Sequence, residues 1–351
     1  TSMALAVLSG AALGVLLLVL SRPLLEMMGC PADVVGGAQL YLNIYAVGLP
    51  ASLVYNYGAA ILRAVGDTKR PLYYLTVSGL CNVVLNVALV AGLRLGVAGV
   101  AIATVVSETI SAALVLASLI TSHGDVRFEP KKTRIERRSL SMILRIGIPA
   151  GLQSSMFSIS NVLIQSAINS FGSTVMASWT AYTKTDALTW MVSGAFGVAI
   201  TTFVGQNYGA HRYDRVRQSV RVCLAMSIGT VGVLSLLMTV FRRVILGVYT
   251  TDTSVIETGA YIISVIVPFV ATFMPVEIFA GTMRGMGDSM RPTAIICLSV
   301  CVVRVLWIMT AVKKYHTLLM LCVCYPMTWV LCAIVFIVTY LRAFRPRLEE
   351  V

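Results

Sequence analysis

LRAVGDTKRP at residues 62–71 and MRGMGDSMRP at residues 283–292 are two copies of one stretch, with Arg, Gly, Asp, Arg and Pro recurring at a fixed offset of 221 residues. The same offset pairs Arg22 with Arg243 and Leu25 with Leu246 without a gap. Each copy follows a long apolar run and precedes two more. Self-similarity over this distance marks a duplicated structural unit.

Outward from the two motifs the chain is apolar almost throughout. Of its 351 residues 58% are hydrophobic and only 12% are charged, about half the charge of an average soluble domain. A bilayer can solvate such a chain, and a helix satisfies its own backbone there. A span needs about 20 apolar residues. Ten such runs are predicted, at 2–20, 34–61, 71–92, 96–121, 147–171, 174–204, 218–240, 255–282, 293–312 and 317–341. They are continuous rather than alternating, which selects helices over barrel strands. The fold class is therefore all-α and polytopic. Pro50, Pro149, Pro268, Pro275 and Pro326 fall inside or at the ends of the runs and should bend them.

Charge orients the bundle. Sorting Lys and Arg by alternate connections puts 19 on the side of the two motifs and 6 on the other, with Lys184 and Arg304 inside spans. The positive-inside rule makes the motif side cytoplasmic, in a plasma (inner) membrane. That side includes loops 62–71, 122–146 and 205–217 and the C-terminus. The net charge of +12 is thus a topology signal; the bases are spread over five connections, which argues against nucleic acid. Most of the eight cysteines sit in apolar runs as small hydrophobes; only Cys30 falls in an outer loop. Cys322 and Cys324 have no metal or redox spacing, and with three scattered histidines no metal or cofactor is expected.

The two copies differ in length. Residue 1 pairs with Val222, leaving the runs at 147–171 and 174–204 without partners. The expectation is a full protein that starts about 75 residues earlier, with twelve spans in two parallel six-helix lobes related by an axis along the membrane normal. In that division 1–121 is an incomplete four-helix N-terminal lobe, 122–146 a cytoplasmic linker, 147–341 a six-helix lobe and 342–351 a cytoplasmic tail.

ILRAVGDTKRP at 61–71, NVVLN at 82–86 and GVAGVAIAT at 96–104 resemble first-lobe signatures of the multidrug and toxic compound extrusion (MATE) family. GIPAGLQSS at 147–155, FVGQNYGAHRYDRV at 203–216 and MRGMGDSMRP resemble its second-lobe ones. The resemblance implies a cation-coupled antiporter with two lobes around a central cleft, exporting small organic, often cationic, compounds against inward H⁺ or Na⁺ flow. It implies no further cofactor, and the protein is taken as a monomer in the lipid bilayer. Two departures stand out. The family's first-helix acid would lie upstream of Thr1, and the helix at 147–171 has no acid, with Phe157 near the place where some members carry one.

Ionisable residues within spans are functional candidates because their burial is costly. Asp186 has the richest setting: Trp179, Tyr182, Asp186 and Trp190 fall within about 80° of one another on a helix. One carboxylate among three aromatics suits an organic cation through charge and cation–π attraction, although the same stripe could pack on a neighbour. Lys184 lies about 200° round the helix from Asp186 and is not its natural partner. Glu277 is the repeat partner of Asn56, an asymmetry that points to function, while a hydrogen bond stabilising the bend near Pro275 accounts for the acid equally well. Ser154, Ser158, Asn161 and Gln165 lie within about 60° of one another, a polar stripe expected to line the cleft. Asn82 and Asn86, with Ser78, form a shorter row that fits a cleft or interhelical bonding. Arg304 calls for an acid or several carbonyls; Glu108 could be that acid, or an independent proton site. Arg63 and Asp67, like Arg284 and Asp288, read as helix-end turns with structural or gating roles, Gly supplying the left-handed residue and Asp the next cap, and Gly209 is assigned the same kind of turn.

The nearest rival is a lipid-linked sugar flippase of the wider superfamily, whose pyrophosphate would call for a cleft rich in Arg and Lys; three acids and two bases in the spans weigh against it. A membrane enzyme or receptor is the other alternative, but no hydrolytic pattern is visible and a receptor needs no two-lobe repeat. The orientation is directly testable. Single cysteines placed in 125–140 and 212–220 should react with an impermeant maleimide only after the cytoplasmic face is opened; labelling in intact cells would reverse the assignment.

Overall fold

The computed structural model describes residues 1–27, 32–122 and 127–344. Cys30 and most of the predicted tail lie outside them. Among the described residues the structure is helical, without strands. The chain divides into two compact units, Thr1–Ile143 and Leu144–Val351.

The first unit holds α1 (Ser2–Met27), α2 (Ala32–Ala64), α3 (Lys69–Gly92) and α4 (Gly96–Thr121). α2 packs on α1 and α4, and α3 on α4. Hydroxyl bonds supplement apolar packing here, since lipid supplies no hydrophobic force between helices. Ser78 of α3 donates to the Ser107 carbonyl of α4 at 2.6 Å, and Ser21 of α1 to Asn43 Oδ1 of α2 at 3.0 Å.

α5 (Arg137–Asn169) starts ten residues before the predicted run and takes up part of the predicted linker. Its first turns carry Arg137, Arg138 and Arg145, so hydropathy understates the helix. Nine helices among the described residues are long and apolar enough to cross a membrane, not ten. The predicted run at 147–171 is helical as part of α5, but its row of Ser, Asn and Gln lowers its apolarity.

The second unit continues with α6 (Ser173–Gly209), α7 (Tyr213–Val240), the short α8 (Arg242–Gly247), α9 (Thr253–Gly285), α10 (Met290–Tyr315) and α11 (Leu318–Phe344). α9 is its axis. Ile262, Ile263, Ile266, Val267, Met274, Val276 and Ile278 are all fully buried, and only a narrow stripe through Tyr261 and Phe269 stays exposed, so most of the surface of α9 is covered. It begins on an N-cap: Asp252 accepts from the Ser254 amide and hydroxyl, both at 2.8 Å, and these bonds hold its carboxyl below the usual range. Pro268 opens a tightened 3-10 stretch at Val267–Phe273, and Pro275 follows it. α10 is interrupted by two wider π turns, Cys297–Val302 and Ile308–Val312. The second matches the π stretch Val87–Gly92 of α3 at the offset of the repeat.

The two motifs that define the repeat fold identically. Asp67 N–H bonds to the Leu62 carbonyl at 3.0 Å and Gly66 N–H to Arg63 at 2.9 Å; Asp288 bonds to Met283 and Gly287 to Arg284, both at 2.9 Å. This is the paired closure of a helix C-terminus, with glycine in the left-handed region: φ is +89° at Gly66 and +88° at Gly287. Asp67 accepts from the Arg70 amide at 3.1 Å and pairs with its guanidinium at 3.2 Å. Asp288 does the same to Arg291, at 3.2 and 3.3 Å. The turn assigned to Gly209 differs. α6 runs to that residue, and His211 takes the left-handed position at φ +56°, while Arg212 N–H closes on Asn207 at 2.8 Å. Counting from the glycine alone misplaces the turn by two residues because His also tolerates this region.

A Cβ at Gly287 would touch nothing within 4 Å, so the dihedral alone sets the cost of replacing it. Gly287→Ala should lose about 1 kcal/mol. Gly229→Ala, helical and equally open, should gain a comparable fraction of that. Opposite shifts of the unfolding midpoint in detergent are the expected result.

Candidate functional site: a ring of aromatic side chains closed by a carboxylate

α6 carries Tyr182, Asp186 and Trp190 at successive four-residue steps, so the three stack along one face. Asp186 Oδ2 accepts from Trp190 Nε1 at 2.7 Å and from the Tyr182 hydroxyl at 3.2 Å. Its other oxygen, Oδ1, is buried with no hydrogen-bond partner. A carboxylate half-satisfied in this way costs free energy and calls for a functional explanation.

α11 supplies Tyr325 and Trp329, again four residues apart. From Tyr182 the rings run to Trp179 (5.2 Å between centroids), Tyr325 (5.7 Å), Trp329 (5.7 Å) and Trp190 (5.9 Å). Asp186 bonds to both ends of this series and closes it. Phe273, at the end of the 3-10 stretch of α9, stacks edge-on against Trp190 at 5.1 Å. Tilted and edge-on contacts of this kind add about 0.5–1.5 kcal/mol per pair beyond burial, so the ring is stiff before any ligand arrives.

Arg304 sits between the two π turns of α10, 3% exposed. Its guanidinium lies 4.3 Å from the Tyr325 ring centroid and donates to Thr328 Oγ1 at 3.4 Å, while Nε has no partner. Its contacts are thus a ring, a hydroxyl and the Cys324 side chain of α11, not the acid or carbonyls expected from sequence. Glu108, the acid suggested for it, belongs to the first unit; there it bonds with Ser52 of α2 and keeps Oε2 unpartnered. Glu277 of α9 folds its carboxyl against Gly197 of α6, where any side chain would overlap it. Two turns further along α9, Arg284 donates to Gln153 Oε1 of α5 at 3.4 Å, and Thr293 does the same at 3.4 Å.

The ring residues, Asp186, Phe273, Arg304, Glu277 and Gln153 line one cavity of about 590 Å³, wholly within the second unit. It gathers the predicted Trp179, Tyr182, Asp186, Trp190, Glu277, Asn161 and Gln165, together with Arg304, which the sequence suggested only as structural. Ser154 and Ser158 are not in its wall. They are exposed and donate to the carbonyls of Ala150 and Ser154 on their own helix. The cavity-facing side of α5 is rotated toward Phe157 and Ile164, so the polar row overlaps it only in part. Lys184 is exposed on another face of α6. Asn56, Asn82 and Asn86 lie in the first unit, where Asn56 donates to Ser52 and Asn86 to Asn82, each within its own helix. Sequence reading missed Phe273, Tyr325, Trp329 and Gln153. In so apolar a run the four-residue spacing of Tyr325 and Trp329 was the available signal, but it does not distinguish a cavity wall from core.

Among the described residues no group of three or more His, Cys, Asp or Glu could hold a metal ion. What the site offers is a π-rich enclosure, two carboxylates and one guanidinium. That combination can hold an organic cation by charge and ring contact, with the amides of Asn161 and Gln165 available for orientation.

The MatE family model matches residues 1–88 and 149–310. The chain is 27% identical over 302 residues to YoeA of Bacillus subtilis (strain 168), named a "Probable multidrug resistance protein", covering 84% of this chain and 65% of that protein. It is 33% identical over 198 residues to YpnP of the same organism, which carries the same description, covering 56% of this chain and 44% of YpnP. The chain thus spans less than two thirds of the length of either relative. A solved MOP superfamily transporter from Pyrococcus furiosus superposes with a TM-score of 0.91 at 19% identity, over 99% of this chain and 77% of that one; at that identity the likeness is one of fold.

The contact between Glu277 and Gly197 can be tested by a double-mutant cycle. Gly197→Ala should cost about 1–3 kcal/mol through overpacking, whereas Gly194→Ala, in open space, should not. Adding Glu277→Ala should recover most of the Gly197→Ala loss. Additive losses in the thermal unfolding of the three variants would rule the contact out.

Proposed function

This chain belongs to the MatE family, and on that footing we propose that it exports organic cations across the plasma membrane, coupled to inward flow of H⁺ or Na⁺. The observation that carries this reading is Asp186, closed into an aromatic ring with one carboxylate oxygen unpartnered. A cation entering the cavity gains the unpaired charge and the faces of Trp and Tyr at once. A protonated or Na⁺-bound Asp186 offers it only the rings. Drug and coupling ion then compete for one carboxylate, and each favours a different state of the transporter, as antiport requires. Glu277, on the most buried helix of the unit, is the second acid able to take part.

The chain's own residues hold, orient and exclude. Tyr182 and Trp190 donate to Oδ2 and fix the carboxylate plane. Asn161 and Gln165 present amides from α5. Arg304, seated over Tyr325, sets a positive limit at the α10 side and repels a second cation. An anionic pyrophosphate would meet two acids and one base here, which disfavours a flippase. The bias of Lys and Arg toward the motif side supports a cytoplasmic placement of those loops.

Asp186→Asn tests the reading. The amide oxygen can still accept from Trp190 and Tyr182, so the ring should survive while the charge is lost. Export of a cationic substrate per folded molecule should fall sharply, since a desolvated cation contact is worth about 2 kcal/mol from the rings alone and the carboxylate adds to that. Binding of a neutral substrate should be less affected, while its coupled export should fall as well, because the same carboxylate takes the coupling ion. Wild-type rates for both substrates would exclude the cavity as the binding site.

A further inference from the structure

α6 and α7 are antiparallel neighbours joined at His211 and Arg212, and the groove between them has a polarity of its own. It encloses about 550 Å³ and is separate from the ring cavity. Along α7, Arg215, Gln218, Val222 and Met226 step up one face at helical spacing; along α6, Phe203 and Phe196 face them. From Arg215 to Met226 is about 16 Å at 1.5 Å per residue. The polar groups sit at the end beside the α6–α7 turn, and the rest of the wall is apolar. Phe203, Val222 and Met226 are 44%, 49% and 57% exposed, so this apolar wall is open to the surroundings.

A drug needs no such order, but a phospholipid does. Its headgroup lies at the membrane surface and its chains run inward, the same sense as this groove. Arg215 is the charged residue of the groove wall, and Arg212, Arg217 and Arg221 make the same end of the helix basic around it, against the single acid Asp214. Basic pockets of this kind between spans at the cytoplasmic edge recognise anionic headgroups. The geometry points to a site for an anionic phospholipid, with its phosphate on Arg215 and Gln218 and one acyl chain between Phe196, Phe203, Val222 and Met226. The occupant is a lipid of the surrounding leaflet, bound outside the ring cavity.

The test uses the purified chain in nanodiscs of equal phosphatidylglycerol and phosphatidylethanolamine, with retained lipid read by native mass spectrometry. The wild type should retain phosphatidylglycerol in preference. Arg215→Gln should lower that retention about five-fold, and Arg215→Lys should restore most of it. Ala199→Phe, which fills the groove from an exposed position of α6, should lower it without any change of charge. Lys314→Gln, an exposed base at the opposite end of the helices, is the control and should leave it unchanged. Equal losses for Arg215→Gln and Lys314→Gln would reduce the effect to general surface charge and overturn the site. So would undiminished retention in Ala199→Phe, or no preference for phosphatidylglycerol in the wild type.

Discussion

Inside a bilayer a polar group has no water to bond with, so each one present must be satisfied by the protein or left at a cost. Most of the architecture follows from that constraint. Most serine and threonine hydroxyls within the spans return to carbonyls, either one turn back on their own helix or across to a neighbour, as Ser78 does to Ser107 and Ser178 to Val255. The helix ends of the repeated motif close their last carbonyls on glycine and aspartate. Against this background the few atoms left without partners stand out. In the second unit they are the hydroxyls of Ser160, Ser193, Ser235 and Ser289 and two atoms of ionisable groups, Asp186 Oδ1 and Arg304 Nε; only the last two belong to residues that line the cavity, and as ionisable groups they are the costliest to leave unpaired.

Irregular backbone gathers around the same place. α9 tightens over Val267–Phe273 and delivers Phe273 and, one turn on, Glu277. α10 widens on both sides of Arg304. A regular helix presents the same face every 3.6 residues; a tightened or widened turn re-aims the residues after it, which is why such turns collect at functional sites. Proline accounts for the irregularity of α9, since Pro268 lacks the amide that an α-helical ladder would use. α10 has no proline within its π turns, and no single residue explains them.

Duplication fixes what the two units share, and the divergence of the copies decides what only one has. The Leu62–Pro71 and Met283–Pro292 stretches keep the same turn because its geometry depends on glycine at positive φ and on aspartate bonding back to the next helix. Side chains that only face a cavity are under no such rule. Asn56 and Glu277 occupy matched positions, yet the amide bonds to its own helix while the acid crosses to a glycine of α6. Glu277 reaches that position because Gly197 leaves the space.

The sequence by itself determined the membrane class, the helical runs, the repeat and its turns. These rest on composition and on local periods, and local physics acts on neighbours along the chain. It also placed Trp179, Tyr182, Asp186 and Trp190 on one face, since a single helix needs only the 100° step to be read. Joining that face to Tyr325, Trp329 and Phe273 was beyond it, because those residues come from helices brought together by packing and nothing polar marks them. For the same reason periodicity places the polar row of α5 only in part, since Asn161 and Gln165 line the cavity and Ser154 and Ser158 do not: periodicity fixes which residues share a face, but not which face the rest of the unit turns toward itself. Arg304 shows the limit most clearly. Its burial was legible, but its partners, an aromatic face, a hydroxyl and the Cys324 side chain on α11, were decided only when α10 and α11 packed.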